Sequence, residues 1–128
     1  MEFSLREGIT ATMEMRVTEN DTAKKIGSGN LDVFATPSMI ALMENASKSC
    51  VDLHLPCGYT TVGIDINVGH IKASPIGAKI RCEAFLKKVQ GKKLFFYVIA
   101  SDENGKIGEG SHIRYIVNSK EFMDRVKI

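Results

Sequence analysis

Three residue types that can share acid–base chemistry stand at the edges of two apolar segments of the chain. Thr36 and Glu44 belong to the segment Val33–Ala46, and His70 ends the apolar segment that starts at Val62. Acidic side chains are rarely buried without a partner, so the apolar neighbours of Glu44 favour a function for it. A hydroxyl, a carboxylate and an imidazole can together activate a water molecule or a hydroxyl nucleophile. These residue types therefore indicate a reaction site.

Each of these residues also has a purely structural interpretation. Thr36, followed by Pro37, is typical of a helix N-cap, and Glu44 could form a surface salt bridge. A single histidine on an apolar strand face, such as His70, is often part of the core. Thr36 and Glu44 are separated by about 12 Å along the predicted helix, which is too far for a direct hydrogen bond. A substrate, a water molecule or His70 would have to lie between them.

The element that positions the hydroxyl and the carboxylate is a long helix. It is predicted to begin with Thr36 as the N-cap and to end near His54 or Leu55, ahead of a proline and a glycine. Its core-facing stripe is predicted to consist of Met39, Leu42, Met43, Ala46, Cys50 and Leu53.

One alternating segment precedes the helix and four extended segments follow it. The predicted strands are 9–17, 60–73, 78–89, 93–101 and 107–117, with a short helical turn within 21–26 and a short helix within 120–128. Glycine-containing turns join the last three strands as hairpins. This order predicts an α+β fold, in which a five-stranded antiparallel sheet wraps around one long central helix.

The strand that ends at His70 is predicted to alternate, unless Gly69 marks a bulge. Its even positions then share one face with His70, and its odd positions, including Asp65, share the other. In the last strand, Gly108 and Gly110 permit close approach of a helix or ligand. His112 and Arg114 on the same face could contact the phosphates of a charged ligand or could be surface or interface residues.

The bulk composition bounds the class of protein. The chain has 128 residues, 44% of them hydrophobic and 25% charged, which fits one globular domain spanning residues 1–128. The net charge of +2 is too small to predict a nucleic-acid partner. No segment predicts a membrane span or a signal peptide, so we expect a cytoplasmic protein.

The three cysteines predict neither a disulfide framework nor a zinc site. Cys50, Cys57 and Cys82 are odd in number and lack a CxxC spacing. All three stand in apolar surroundings and are predicted to be core thiols. We expect no metal and no cofactor.

A second interpretation uses the segment Asp65–His70, which reads DINVGH. It resembles the DxNxxH signature of hotdog-fold enoyl-CoA hydratases, in which an aspartate and a histidine jointly activate water. The proline usual after the asparagine is missing. On a continuous strand Asp65 and His70 would also face opposite sides, because their separation is odd. This hypothesis therefore ranks second.

The order strand, helix, four strands resembles a single hotdog domain, and within that superfamily the chain resembles the fluoroacetyl-CoA thioesterase-like branch. The matching residues are VFAT at 33–36 with Met43-Glu44, then Gly63, then His70 with ASPIG at 73–77, and IGEGSHIR at 107–114. The spacing of eight residues from Thr36 to Glu44 occurs together with the His–x4–Pro–x–Gly pattern. The resemblance covers about residues 9–118.

The resemblance implies that Thr36, Glu44 and His70 are catalytic. It also implies that Gly63 offers a backbone N–H near the thioester carbonyl, and that Arg114 supports the site or contacts coenzyme A. The implied assembly is a homodimer with each site built from both chains. The implied reaction is hydrolysis of an acyl-CoA thioester. Because residues 27–32 contain no aromatic side chain that could form a lid, we expect a short- or medium-chain acyl group rather than fluoroacetate alone. A non-catalytic acyl-CoA-binding protein is the third hypothesis.

Overall fold

A computed structural model describes residues 3–128 of the chain. The elements are β1 (Thr10–Arg16), a 3-10 turn (Glu19–Asp21), α1 (Ala23–Ile26), α2 (Thr36–Asp52), β2 (Tyr59–His70), β3 (Lys79–Gln90), β4 (Lys93–Asp102), β5 (Gly105–Asn118) and α3 (Ser119–Arg125). The strands pair antiparallel in the order β1-β3-β4-β5-β2, which leaves β1 and β2 as the two edges. The predicted α+β fold with five antiparallel strands and one long helix is therefore confirmed.

The long helix α2 packs against one face of the sheet, and its buried side chains form the centre of the core. They are Met39, Leu42, Met43, Ala46, Ser47, Cys50 and Val51. Burial of each large apolar side chain contributes about 1.5–3 kcal/mol. The predicted stripe is wrong for Leu53, which is 95% exposed. The helix ends at Asp52, so Leu53 lies beyond its last turn and Val51 fills the core position instead.

The start of α2 differs from the prediction by one residue. Ala35 is the N-cap and Thr36 is the first helical residue, so Pro37 occupies the second position. The backbone N–H of Ala35 donates to the carbonyl of Asp21 at 2.9 Å, and that of Met39 donates to the carbonyl of Ala35 at 3.0 Å. Because the chain is fixed by these backbone bonds, the Thr36 hydroxyl is not needed as a cap and can reach another element.

A β-bulge interrupts the edge strand β2 at Ile64. Gly63 pairs with Arg114 of β5, whereas Asp65 pairs with Ile113, so one residue of β2 has no counterpart. The alternation is therefore interrupted, but at Ile64 and not at Gly69, where the sequence allowed a bulge. Gly63 faces the helix side of the sheet although its number is odd, and after the bulge the even positions up to His70 face that side.

The two glycines of β5 allow close packing, as predicted. A Cβ atom on Gly108 would lie 2.6 Å from Met39 Sδ, and one on Gly110 would lie 2.6 Å from Val68 Cα. Neither distance is possible between real atoms, so these positions require glycine. Gly108 thereby lets α2 approach the sheet, and Gly110 lets β2 pair closely with β5.

The three thiols are all free, but they do not share one environment. Cys50 and Cys82 are buried, and burial raises the pKa of Cys82 to about 12, so it is not a nucleophile. Cys57 is exposed in the turn between α2 and β2, which makes the core prediction wrong for this residue. None of the helices within residues 3–128 is long and apolar enough to span a membrane.

Candidate active site

The first turn of α2 meets the last residue of β2. Thr36 Oγ1 lies 2.8 Å from His70 Nδ1, a direct hydrogen bond between residues that are 34 positions apart. The ring of Phe34 packs edge-on to the imidazole with the ring centroids 6.4 Å apart. Both side chains of the pair are thus held by regular secondary structure, and the imidazole is oriented by an aromatic neighbour.

The other imidazole nitrogen, His70 Nε2, is buried and has no hydrogen-bond partner among residues 3–128. Burial lowers the pKa of His70 below its ordinary value of 6.5, and the backbone at Lys72 opposes this only in part. The imidazole is therefore neutral at neutral pH. A neutral imidazole in contact with a hydroxyl has the geometry and the charge of a general base.

A cavity of about 310 Å³ opens at this pair. Its lining includes Phe34, Thr36, His70, Ile71, Lys72 and Ala73. Thr36 is exposed, so its hydroxyl is accessible from the cavity. The lining combines apolar side chains with a few polar groups, as ligand pockets usually do.

The carboxylate of Glu44 lies elsewhere in the subunit. Its Oε2 is 3.7 Å from Arg114 Nη1, and a Cβ atom added to Gly63 would lie only 2.7 Å from Oε2. A second cavity of about 320 Å³ is lined by Glu44, Gly63 and His112, together with their neighbours on β2. His70 therefore bonds to Thr36 but does not lie between Thr36 and Glu44 in one chain.

Arg114 is held by several bonds at once. Its Nε donates to Thr61 Oγ1 at 2.7 Å, its Nη2 donates to the carbonyl of Thr61 at 2.9 Å, and its Nη1 lies 3.2 Å from His112 Nε2. The residue is only 6% exposed. Of the two roles predicted for Arg114, this geometry favours support of Glu44 over contact with coenzyme A.

His112 was predicted only as a phosphate contact or a surface residue, and its place in this cluster was missed. It is 1% exposed, and its Nδ1 lies 2.7 Å from the carbonyl oxygen of Asp65. The sequence placed His112 and Arg114 on one strand face, but the bulge that brings Gly63 and Glu44 opposite them was not recognised. A glycine inside a strand often marks a bulge, so Gly63 was the available signal.

The arrangement does not assemble the hydratase pair. The register of β2 against β5 is regular from Asp65 to His70, so the two side chains face opposite sides of the sheet, as predicted. Within residues 3–128 there is also no group of three histidine, cysteine or acidic side chains that could hold a metal ion.

The fold has close structural counterparts. The solved structure of the fluoroacetyl-CoA thioesterase FlK matches with a TM-score of 0.90 at 29% identity, covering 96% of each chain. A thioesterase superfamily member from Thermus thermophilus matches with a TM-score of 0.86 at 26% identity, covering 93% of this chain and 88% of the other. The sheet and the central helix are thus those of a hotdog-fold thioesterase.

The sequence narrows this class to one family. The family model for fluoroacetyl-CoA-specific thioesterases matches residues 17–120. The fluoroacetyl-CoA thioesterase of Streptantibioticus cattleyicolor is 34% identical over 96 residues, which are 75% of this chain and 69% of that protein. The chain belongs to the fluoroacetyl-CoA-specific thioesterase family. It is a thioester hydrolase of the acyl-CoA class, as the sequence predicted.

Proposed function

We propose that the active site forms between two copies of this chain, with Thr36 and His70 from one subunit and Glu44 from the other. The observation that supports this is the separation of the groups within one chain. Gly63, which adjoins Glu44, is seven residues from His70 on β2, roughly 20 Å along an extended strand. No rearrangement of side chains could close that distance within a subunit.

Pairing of the β2 edges of two subunits would bring His70 of one subunit close to Glu44 of the other. β2 is a 12-residue edge strand whose Ile64 is 50% exposed, and an unpaired edge is a template for another strand. In an antiparallel pair with its twofold axis at Asn67, the bulge at Ile64 places Gly63 of one strand opposite His70 of the other, about 5 Å away. The carboxylate of Glu44 of the partner subunit would then adjoin the imidazole.

In this assembly His70 acts as the general base. It accepts the proton of the Thr36 hydroxyl, Oγ1 attacks the thioester carbonyl, and the C–S bond breaks as the imidazolium returns the proton to the coenzyme A sulfur. His70 then deprotonates a water molecule that attacks the acyl-threonine ester, and the imidazolium returns the proton to Thr36 Oγ1 as the ester bond breaks and the acid leaves. In the alternative route Thr36 orients the water, His70 deprotonates it for direct attack on the thioester, and the imidazolium protonates the coenzyme A sulfur as the C–S bond breaks. Glu44 of the partner subunit stabilises the imidazolium in both routes.

The oxyanion of the tetrahedral intermediate requires backbone donors. The first N–H groups of a helix have no intrahelical partner and lie at the positive end of its dipole. Pro37 has no N–H, so the donors on α2 come from its neighbours, and we assign the second donor to the backbone N–H of the partner subunit's Gly63 at the bulge.

The substrate proposed is a short- or medium-chain acyl-CoA. The cavity of about 310 Å³ at Thr36 and His70 lies at the small end of the range for ligand sites. Ser28 lines it from the segment 27–32, where no aromatic ring closes it. A cytoplasmic location is proposed with it, since three free thiols fit a reducing compartment.

Free-thiol release from a panel of acyl-CoA esters of two to sixteen carbons tests the activity. The wild type is expected to release thiol from the shorter esters, and His70→Ala is expected to lose at least hundredfold in kcat. His54→Ala, a change at an exposed histidine just beyond α2, is the matched control and is expected to keep full activity. Binding of the esters without turnover in the wild type would contradict the proposal and favour an acyl-CoA-binding protein.

A mixing experiment tests the shared site. The Glu44→Gln and His70→Ala homodimers are each expected to be nearly inactive, but a heterodimer contains one site with neither substitution. After unfolding and refolding an equimolar mixture, half of the dimers are mixed and roughly a quarter of wild-type activity is expected. Absence of any recovery, with mixed dimers demonstrated by a tag on one variant, would contradict a site built from both chains.

A further inference from the structure

Glu44 adjoins a cluster formed by Gly63, His112 and Arg114. The protonation state of His112 in this cluster is fixed by its two hydrogen-bond partners. A carbonyl oxygen can only accept, so the 2.7 Å contact with Asp65 O requires a proton on His112 Nδ1. A guanidinium can only donate, so the 3.2 Å contact with Arg114 Nη1 requires a lone pair on His112 Nε2. Both bonds exist together only in the neutral imidazole with its proton on Nδ1.

Both hydrogen bonds of this imidazole stabilise the structure around Glu44. Asp65 is the first residue after the bulge, so the bond to its carbonyl fixes the bulge that turns Gly63 toward Glu44. Arg114 Nη1, which donates to the imidazole, is the same nitrogen that faces Glu44 Oε2. The imidazole is thus the only side chain among residues 3–128 that bonds both the bulge and the guanidinium.

We propose that His112 is a positioning residue of this thioesterase, whose neutral imidazole holds Arg114 against Glu44 by bridging it to the carbonyl at the bulge. The proposal rests on the site described above, because it concerns how the Glu44 carboxylate of that site is oriented. His112 is only 1% exposed, so its role is assigned through its neighbours. It acts through Arg114 on the group that stabilises the imidazolium of the partner subunit's His70.

The surroundings of His112 explain why it stays neutral. The charged groups that face it are the guanidinium of Arg114 on β5, the carboxylate of Glu44 on α2 and the carboxylate of Asp65 on β2, while β4 contributes the uncharged ring of Phe96 at 6.2 Å between centroids. Burial and Arg114 lower the pKa of His112, and the bond to the Asp65 carbonyl and the two carboxylates oppose them only in part. Protonation of Nε2 would direct an N–H at the guanidinium and break the bridge.

The positioning role of His112 predicts a distinctive pH dependence of kcat/KM. On the acid side both His70 and His112 have to lose their protons for full activity, so log kcat/KM of the wild type is expected to fall with a slope approaching two. His112→Gln keeps one donor and one acceptor but cannot be protonated in this range. It is expected to keep activity within about tenfold at neutral pH and to fall with a slope of one.

A second variant measures what the two hydrogen bonds of His112 contribute to kcat. His112→Phe removes both hydrogen bonds while filling the space. Its kcat is expected to fall roughly ten- to hundredfold with KM nearly unchanged, because one hydrogen bond to a buried charged group is worth about that factor. His54→Gln is the control and is expected to keep the wild-type slope. Wild-type kcat in His112→Phe, or an unchanged slope in His112→Gln, would overturn the proposal.

The tautomer can be measured without turnover. Nitrogen-15 NMR of the wild-type imidazoles is expected to give a protonated Nδ1 and an unprotonated Nε2 for His112 at neutral pH, assigned by comparison with His112→Gln. The opposite tautomer or a protonated ring would overturn the proposal, whatever the activity. This measurement uses the wild type, so it decides the proposal even if His112→Phe fails to fold. The expected tautomer in a protein that hydrolyses no ester would instead contradict the proposed function.

Discussion

Substitution of Gly63 by alanine tests how closely the carboxylate is positioned. The new Cβ would lie 2.7 Å from Glu44 Oε2, 3.2 Å from His112 Cε1 and 3.3 Å from Arg114 Nη1. The histidine and the arginine are held by their bonds to Asp65 and Thr61, whereas the side chain of Glu44 is 43% exposed and free to move. The side chain of Glu44 is therefore the group that moves away from the new Cβ.

The displacement can be worked out from these distances. To reach ordinary contact at 3.4 Å, Glu44 Oε2 has to move by about 0.7 Å. Its separation from Arg114 Nη1 is already 3.7 Å, so even a small outward movement lengthens the ion pair beyond 4 Å. Misplacement of a catalytic group by about 1 Å costs about a hundredfold in rate, so kcat of Gly63→Ala is expected to fall roughly ten- to hundredfold.

The stability of the fold is expected to change little. Gly63 does not have the left-handed backbone conformation, the flexible end of Glu44 has to shift, and the contacts with His112 and Arg114 need only a few tenths of an ångström. A change of less than about 1 kcal/mol in the free energy of unfolding is therefore expected, since the alanine also restricts the unfolded chain.

The assay is thiol release together with thermal unfolding, with Gly69→Ala as the matched control. Gly69 belongs to the same strand, and a Cβ there would meet its nearest neighbour, Ile71 Cγ2, at an ordinary 3.8 Å. The control is expected to keep wild-type kcat and melting temperature. Wild-type kcat in a folded Gly63→Ala protein would refute the reasoning, because the carboxylate would then tolerate the displacement.

Three further predictions concern the hydroxyl, the sheet and acid stability. Thr36→Ser is expected to keep kcat within about tenfold and Thr36→Ala to lose at least about a hundredfold, measured by thiol release with both proteins folded. Gly110→Ala is expected to reduce the free energy of unfolding by about 3 kcal/mol or more in urea titrations, because the new Cβ would lie 2.6 Å from Val68 Cα. Because His70 and His112 both have a pKa lowered below 6.5, the unfolded chain binds protons that the folded protein does not. The free energy of unfolding is thus expected to be independent of these groups above pH 6.5 and to fall as the pH drops below it; a constant value down to pH 5.5 would contradict this.

The elements of the fold were predictable because their signals are local. The Thr-Pro pair, the alternating segments and the glycine turns each depend on a few neighbouring residues, and the structure has a helix or strand at each. Errors occurred where a tertiary contact replaced a local one. Thr36 looked like an N-cap, but its hydroxyl bonds to an imidazole 34 residues away, and Ala35 caps the helix instead.

The cluster around Glu44 could not be predicted for a similar reason. Strict alternation puts Gly63 and His70 on opposite faces, whereas the bulge at Ile64 puts them on the same face. A bulge is stabilised by contacts from other strands, here the bond from His112 to the Asp65 carbonyl, and those contacts have no local signature.

The bulge also bears on how relatives of this chain should be compared. Residues at odd separation along a strand share a face only if one extra residue shifts the phase between them. A chain that lacked the counterpart of Ile64 would keep every side chain of the site and still turn Gly63 away from Glu44. Identity at the catalytic positions is therefore an insufficient sign of shared activity in this fold. The number of residues between the glycine and the histidine has to match as well, which makes a single-residue deletion as disabling as the loss of a catalytic group.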